Sequence, residues 1–199
     1  MTILHYTLGL PPQRSGGLTK YATDLILEQQ NSLDIVLLLY PSGYKWWSRK
    51  ISFSKSNIKS GICSVRLKNT PPVPLLYGIK SPKDFISKRL LSESEMERFY
   101  SEVKPDVFHV HTLMGLPKEL LHFLKAKGVK LIFTTHDYFG ICPKVNLIDC
   151  NSDVCSGISP QKCAKCNINA KSTLYLRLRN SKLALKLKNI AFLKNILCR

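Results

Sequence analysis

Two predicted β-strands, at 107–110 and 129–135, carry histidine at or just beyond their carboxyl ends. The first is a short apolar run, and the second is β-branched and apolar, as expected of a buried parallel strand. Ligands of open α/β sheets bind beyond the carboxyl ends of the strands. A histidine in such a place can also serve only to hydrogen-bond a neighbouring loop, but two clusters on successive strands favour a ligand site. The residues concerned are His109, His111, His136 and Asp137.

A glycine pair near the start of the chain is a third candidate feature. A short predicted strand at 3–6 is followed by a loop, and apolar residues then recur at helical spacing from Leu18 to about Gln30. Gly16 and Gly17 precede this helix, so its first N–H groups can approach an anion, which the helix dipole also favours. The pair can equally be a simple turn, and the chain contains neither the dinucleotide-binding nor the P-loop glycine fingerprint.

Strands and helices alternate along the chain and would position these residues. The segment 41–59 is polar, basic and serine-rich, and we interpret it as an excursion near the sheet edge. Prolines in 69–82 predict a long ordered loop. The alternation predicts an α/β fold with a parallel sheet and right-handed crossovers. Predicted strands lie at 3–6, 34–40, 62–67, 107–110 and 129–135, and predicted helices at 18–30, 82–101 and 115–127.

Seven cysteines occur in the chain, and five of them lie between positions 142 and 166. In a reducing compartment, clustering of this kind points to a metal rather than to disulfides. Cys163 and Cys166 form a CxxC, the spacing that lets two thiolates bind one tetrahedral ion. Cys142 and Cys155 can complete four ligands, which leaves Cys150 over. We therefore expect a structural zinc bound by those four thiolates; the alternatives are free thiols, or disulfides formed on oxidation.

Positive charge dominates the chain and is concentrated towards its C-terminal end. The formal net charge is +17, and no acidic residue follows Asp153. From 172 to 198 apolar residues recur at helical spacing. Arg179, Lys182 and Lys186 share one face, which predicts a basic amphipathic helix suited to an anionic membrane surface. A helix packed on the sheet with a solvated basic face is the alternative.

Composition and length exclude several classes of protein. A chain of 199 residues, 44% hydrophobic, can form one domain with a packed core and a small appendage. Nucleic acid is not expected as a partner, because no binding-module signature is present and aromatic residues are not interleaved with the basic ones. With no transmembrane-length apolar run and no secretory signal pattern, we expect a cytoplasmic protein that can associate with the inner face of the membrane.

The combination of these motifs resembles the N-terminal domain of family 4 glycosyltransferases of the GT-B fold, and within them the branch of bacterial cell-surface polysaccharide synthesis. The resemblance extends over essentially the whole chain and is most specific from Lys104 to Cys166. The stretches that carry it are SGGLTKYATDL, PDVFHVHTLMGLP, FTTHDYFGICPKVNLID and CAKC.

The resemblance implies retaining transfer of a sugar from a nucleotide-sugar donor to a glycan or lipid-linked acceptor, with no cofactor in the chemistry. In such enzymes the glycine loop lies against the donor phosphates and the acceptor, and the histidine that ends the later strand, here His136, lies beside the transferred sugar. We expect catalytic roles for His136, Asp137 and His111, and substrate binding by Gly16, Gly17 and His109.

Such enzymes contain two Rossmann-like domains, and the second, nucleotide-binding one carries an E-x7-E signature that is absent from this chain. The resemblance therefore predicts an acceptor-side domain at 1–140, a Rossmann-like parallel sheet with helices on both faces. A Cys-rich segment at 141–170 and the basic helix at 171–199 would follow it. We expect transfer to require a separate C-terminal half; the alternative is a non-catalytic remnant or a metal-binding interaction module.

Overall fold

The computed structural model describes residues 1–11, 14–32, 34–45, 48–57, 62–80, 91–181, 183–184 and 187. These residues form a mixed α/β fold on a six-stranded, mostly parallel sheet. Its strands are β1 Thr2–Tyr6, β2 Ile35–Pro41, β3 Ser52–Asn57, β4 Cys63–Lys68, β5 Val107–Val110 and β6 Lys130–Phe133.

The strand order is β3-β4-β2-β1-β5-β6, and only β3 runs antiparallel to its neighbour. The chain builds outwards from β1 to one side of the sheet and later, with β5 and β6, to the other. The order therefore switches direction between β1 and β5, and a crevice opens outside the carboxyl ends of the strands at such a point. His5 and His109 are register partners across this boundary.

In the described residues, five helices connect or follow the strands. Serine side chains cap three of them by accepting a backbone N–H: Ser92 from Glu95, Ser159 from Lys162 and Ser172 from Tyr175. The helices are α1 Gly17–Asn31, α2 Glu93–Val103, α3 Lys118–Ala126, α4 Pro160–Cys166 and α5 Thr173–Arg179, with a 3-10 turn at Leu75–Tyr77.

Helices cover both faces of the sheet, and each face has its own hydrophobic cluster. On one face Met96 and Phe99 of α2 and Leu120 and Leu124 of α3 pack against Phe108 and its strand neighbours. On the other face Ile26 of α1 packs against Val36, Leu38 and Tyr40 of β2. Alternate residues of one strand thus face opposite layers, so that Leu4 and Tyr6 lie in the first cluster while His5 faces α1.

Most of the predicted strands and helices are present, with two corrections. The segment 41–59, interpreted as an excursion, contains the edge strand β3, whose polar residues suit a strand with one solvent-exposed side. The strand at 129–135 was expected to be buried, but it forms the opposite edge, and Leu131, Ile132 and Phe133 of β6 are 37–48% exposed. Its hydrophobicity predicts burial, because the sequence does not reveal which strand ends the sheet.

Two predicted helices are described only in part. The helix predicted at 82–101 is seen as α2, and residues 81–90 lie outside the described residues. Of the tail helix predicted at 172–198, α5 is described, whereas Lys182 and Lys186 lie outside the described residues. In the described part of the chain, no helix is long and apolar enough to cross a membrane.

Candidate functional site

Four of the five histidines in the sequence gather under α1, at the boundary between β1, β5 and β6. His5 and His109 lie within their strands, His111 follows β5, and His136 follows β6. Residues two apart on a strand share a face, which is why His109 and His111 both lie on the side covered by α1. The structure therefore brings together His109, His111 and His136, as predicted, and adds His5.

Three of these imidazoles form a hydrogen-bonded chain that begins at Gln29 of α1. Gln29 Oε1 lies 2.7 Å from His5 Nε2, His5 Nδ1 lies 3.0 Å from His111 Nε2, and His111 Nδ1 lies 3.4 Å from His136 Nε2. The His5 and His111 rings are 13° from parallel with centroids 5.3 Å apart. The distance between the centroids exceeds the distance between the two bonded nitrogens by about two ring radii. The two rings therefore lie side by side in nearly one plane, joined through their nitrogens, and are not stacked face to face.

The chain of hydrogen bonds fixes the tautomer of each ring. Gln29 Oε1 can only accept, so the His5 proton lies on Nε2 and Nδ1 accepts. His111 must then donate from Nε2 and accept at Nδ1, and His136 must donate from Nε2. In its neutral form His136 therefore has Nδ1 as its acceptor nitrogen. Gln29 determines this tautomer from three hydrogen bonds away.

Burial keeps the inner rings of this chain neutral. His5 is 0% and His111 is 1% exposed. Desolvation lowers the pKa of His5 to about 4, with a smaller effect of His109 in the same direction, although the hydrogen bond to Gln29 opposes it. Desolvation, reinforced by repulsion from His109, His5 and His136, lowers the pKa of His111 to about 3. At neutral pH both rings are uncharged, as the alternating donors and acceptors require.

His109 lies beside the row of hydrogen-bonded histidines and is not part of it. Its Nε2 lies 2.8 Å from Thr134 Oγ1, which follows β6, and its ring packs 4.2 Å from the His111 ring. Desolvation, and secondarily the nearby His136, lower the pKa of His109. His109 is only 7% exposed. So buried a position suits a side chain that supports the neighbouring rings, and the substrate binding predicted for His109 would have to take place from there.

Ligand nitrogens of His5, His109 and His111 lie within 4.8 Å of one another, the one such group of potential metal ligands among the described residues. Neutral imidazoles are good ligands for divalent transition metals. In the observed arrangement, however, the lone pair of one ring faces the N–H of the next. A metal would require the rings to turn towards a common point and give up these hydrogen bonds.

The start of α1 lies near the outer end of the histidine chain. Tyr21, one turn into the helix, contacts the His136 ring with centroids 4.9 Å apart. Gly16 has φ 121°, which favours glycine, and no side chain caps the helix there. A Cβ added at Gly17 would meet no atom within 4 Å. The N–H groups of the first turn are thus approachable, and Tyr21 links this helix to His136.

A cavity of about 490 Å³ adjoins His136 and is lined by the loop that follows β6. Asp137 lines it too, but its Oδ1 accepts the Phe139 N–H at 2.9 Å, so the carboxylate also holds the turn of this loop. Four residues that contact the histidines were not predicted as site residues: His5, Tyr21, Gln29 and Thr134. His5 carried a usable signal, since it is a histidine within a predicted buried strand.

The cysteines occupy a separate place in the loop region after His136. The predicted ligands Cys142, Cys155, Cys163 and Cys166 line one cavity of about 190 Å³, and Cys150 lines it as well. The hairpin that carries Cys150 is closed by a bridge between Ile148 and Val154, and the CxxC lies on α4.

No protein-family model matches this chain, and neither curated proteins nor solved structures give a significant match.

Proposed function

We propose that this chain is the Rossmann-like, acceptor-side domain of a retaining GT-B glycosyltransferase. The domain would act in transfer of a sugar from a nucleotide-sugar donor to a glycan or lipid-linked acceptor in surface polysaccharide synthesis. Transfer takes place in the cleft between this domain and a nucleotide-binding half. That half is further polypeptide, either continuous with this chain or separate.

The observation that carries the proposal is the contact between Tyr21 of α1 and His136 after β6. It joins α1, which begins without a side-chain cap at the glycine pair, to a histidine at the carboxyl end of β6. The neighbouring strands β1 and β5 are those between which the strand order switches. A diphosphate and a sugar hydroxyl are the groups that such a pair can bind together. Backbone N–H groups offset phosphate charge, and imidazole orients hydroxyls by hydrogen bonds.

Positive charge near the glycine loop supports an anionic ligand. Arg14, two residues before Gly16, donates to Asn180 Oδ1 at 2.5 Å and is close enough to Arg179 for repulsion to add to desolvation in lowering its pKa. The Nε atoms of Arg14 and Arg179 are buried without a hydrogen-bond partner. Two neighbouring guanidinium groups favour a phosphate-bearing donor or acceptor over a neutral one.

The exposed edge of the sheet supports the need for further polypeptide. Leu131, Ile132 and Phe133 of β6 are apolar and substantially exposed, beside the loop that carries His136. Apolar strand edges left in solvent favour pairing with another segment. The proposed second half would cover this region while it closes the cleft.

The test is turnover of nucleotide-sugar donors by the purified chain, alone and together with a polypeptide that carries the E-x7-E signature. We expect no transfer to polyprenyl-phosphate-linked or free glycan acceptors by the chain alone, and transfer when the two halves are combined. The reading frame adjoining this gene is the first place to look for that half. No turnover with any combination of halves, donors and acceptors would contradict the proposal.

A second candidate is a non-catalytic, metal-binding interaction module. The observation that favours it is the group of cysteines around one cavity, which can bind a metal without taking part in sugar transfer. Metal binding together with a lack of turnover in the completed assembly would select this alternative.

A further inference from the structure

The Cys-rich segment, residues 141–170, has regular structure but almost no hydrophobic core. Val145 is its one buried residue, while Ile141, Val154, Ile158 and Ile168 are 54–79% exposed. The segment nevertheless forms a bridged hairpin and α4. Small units that cannot bury enough apolar surface are held together by disulfides or a metal.

Thiols from three parts of this segment line the same cavity. Cys142 ends a turn in which its N–H donates to Tyr138 O at 2.8 Å. Cys155 follows the hairpin, where its N–H donates to Leu147 O at 2.8 Å. Cys163 and Cys166 are three residues apart on α4 and share a face of the helix. Cysteines of a turn, a hairpin and a helix thus line one cavity.

The surroundings of the cavity suit bound thiolates. Zinc with four thiolates has two more negative than positive charges. The side chains of Lys144, Lys162 and Lys165 line the same cavity, and ammonium groups stabilise that excess charge. No three cysteine sulfurs among the described residues lie within 4.8 Å of one another, so binding would draw the thiols inwards by side-chain rotation.

Exposure separates the fifth cysteine from the other four. Cys150 is exposed in the turn of the hairpin, whereas Cys142, Cys155, Cys163 and Cys166 are partly buried. Cys150 also contacts Cys166, which makes it the natural competitor for a place in the ligand set. We assign Cys150 outside the ligand set because it is the most exposed of the five.

We propose that Cys142, Cys155, Cys163 and Cys166 bind one structural zinc ion, with Cys150 outside the ligand set. The zinc would join the loop that carries His136 to α4. The far end of α4 is anchored to the 3-10 turn, because Asn167 Oδ1 accepts the Ile79 N–H at 2.9 Å and Lys171 N–H donates to Tyr77 O at 3.1 Å. The ion would thus cross-link a segment whose hydrophobic core is too small to hold it together.

The experiment is metal analysis of the full chain purified under reducing conditions, as the wild type and as five single variants. We expect about one zinc per chain in the wild type, and loss of zinc in Cys163→Ser and Cys155→Ser. Cys150→Ser, in the same segment, and Cys63→Ser, exposed on β4, should keep a full equivalent. Loss of zinc from Cys150→Ser but not from Cys142→Ser would overturn the ligand assignment.

A measurement on the wild-type protein covers the case in which a ligand variant does not fold. Alkylation followed by peptide mass spectrometry should find the four proposed ligands protected and Cys63 and Cys150 modified. A strong chelator should then expose the protected four. Protein without metal whose four thiols are alkylated as fast as Cys63, or are joined in disulfides after purification under reducing conditions, would overturn the proposal.

Discussion

His5 Nδ1 and His111 Nε2 lie 3.0 Å apart although 106 residues separate them in the sequence, and their rings are close to coplanar. This contact joins the first strand of the sheet to the segment after the fifth. It is the inner link of a chain that leads from Gln29 to His136. The protonation pattern at the candidate site is thereby determined within the core of the domain.

Replacement of Gln29 by leucine should alter the tautomer of His136, although the two residues are not in contact. The leucine side chain cannot accept from His5 Nε2, so the order of donors and acceptors is no longer imposed. Long-range ¹H–¹⁵N NMR should show His136 protonated at Nε2 in the wild type and a mixture of tautomers in Gln29→Leu. Gln30→Leu, on the same helix turn, is the control. If the NMR pattern of His136 is the same in Gln29→Leu as in the wild type, the hydrogen bonds from Gln29 through His5 and His111 do not determine its tautomer.

Acid should destabilise the protein through the buried histidines. The pKa of His5 is about 4 in the folded state against 6.5 for a free histidine, so between these values the unfolded chain binds a proton that the folded chain does not. The free energy of unfolding should therefore fall as pH decreases from 6.5 towards 4, by at most about 3 kcal/mol for this residue. Above 6.5 this contribution should be constant.

Chemical denaturation at a series of pH values measures that slope. The groups that face His5 from its neighbours are His109, His111 and the neutral Gln29, and the pKa of His111 is lowered in the same sense, so it adds to the slope. His5→Asn should flatten the slope, whereas His122→Gln, at an exposed position on α3, should not. A wild-type slope equal to that of His5→Asn would refute the assignment.

Gly17→Val should impair ligand binding while leaving the fold intact. A Cβ at this position meets no protein atom within 4 Å, so a side chain here begins in open space, where the proposed ligand would approach the backbone. In the completed enzyme we expect KM for donor or acceptor to rise about tenfold or more, with an unchanged melting temperature. Asn31→Val, at the exposed far end of α1, is the matched control. Unaltered kinetics in Gly17→Val would remove the glycine loop from the site.

The tail should bind anionic membranes through apolar as well as basic residues. Leu176 of α5 is buried, but Leu174 and Leu178 are 51–55% exposed, and Arg179 lies over the Tyr77 ring at 4.7 Å. The protein should sediment with vesicles rich in anionic lipid, and less of it should do so at high salt. Each basic residue near such a surface contributes roughly 1 kcal/mol to the free energy of binding.

Two sets of variants test the membrane interaction. Leu174→Glu combined with Leu178→Glu should weaken sedimentation, whereas Leu27→Glu, an exposed leucine on α1, should not. Combined replacement of Arg179, Lys182 and Lys186 by glutamate should abolish it. Undiminished binding of that triple variant would show that the helix is a packing element with a solvated basic face.

The sequence predicted what depends on local pattern. The helix at 18–30 follows from helical periodicity and the strand at 107–110 from a short apolar run, and α1 and β5 confirm them. The short strand predicted at 3–6 is confirmed by β1. The positions of His109, His111 and His136 at one sheet edge followed from the parallel connectivity of their strands. Polar β3 was missed because a serine-rich edge strand lacks the hydrophobic signal on which the prediction depended.

Contacts set by tertiary packing were not predictable in the same way. The exposure of β6 depends on its place at the edge of the sheet, which a hydrophobic run does not encode. Gln29 and Tyr21 look like ordinary polar and aromatic helix residues. Their contacts with His5 and His136 depend on the rotation of α1 against the sheet. The buried contact of His5 with His111 joins two histidines that no local motif associates.

The most direct test of the proposed function is the turnover number of the completed enzyme with His136→Ala. If this imidazole acts on the transferred sugar, turnover should fall by about one to three orders of magnitude while the domain stays folded. His122→Ala, at an exposed histidine outside the cluster, should leave turnover unchanged. Equal turnover in the two variants would contradict the proposal and assign His136 a purely structural role.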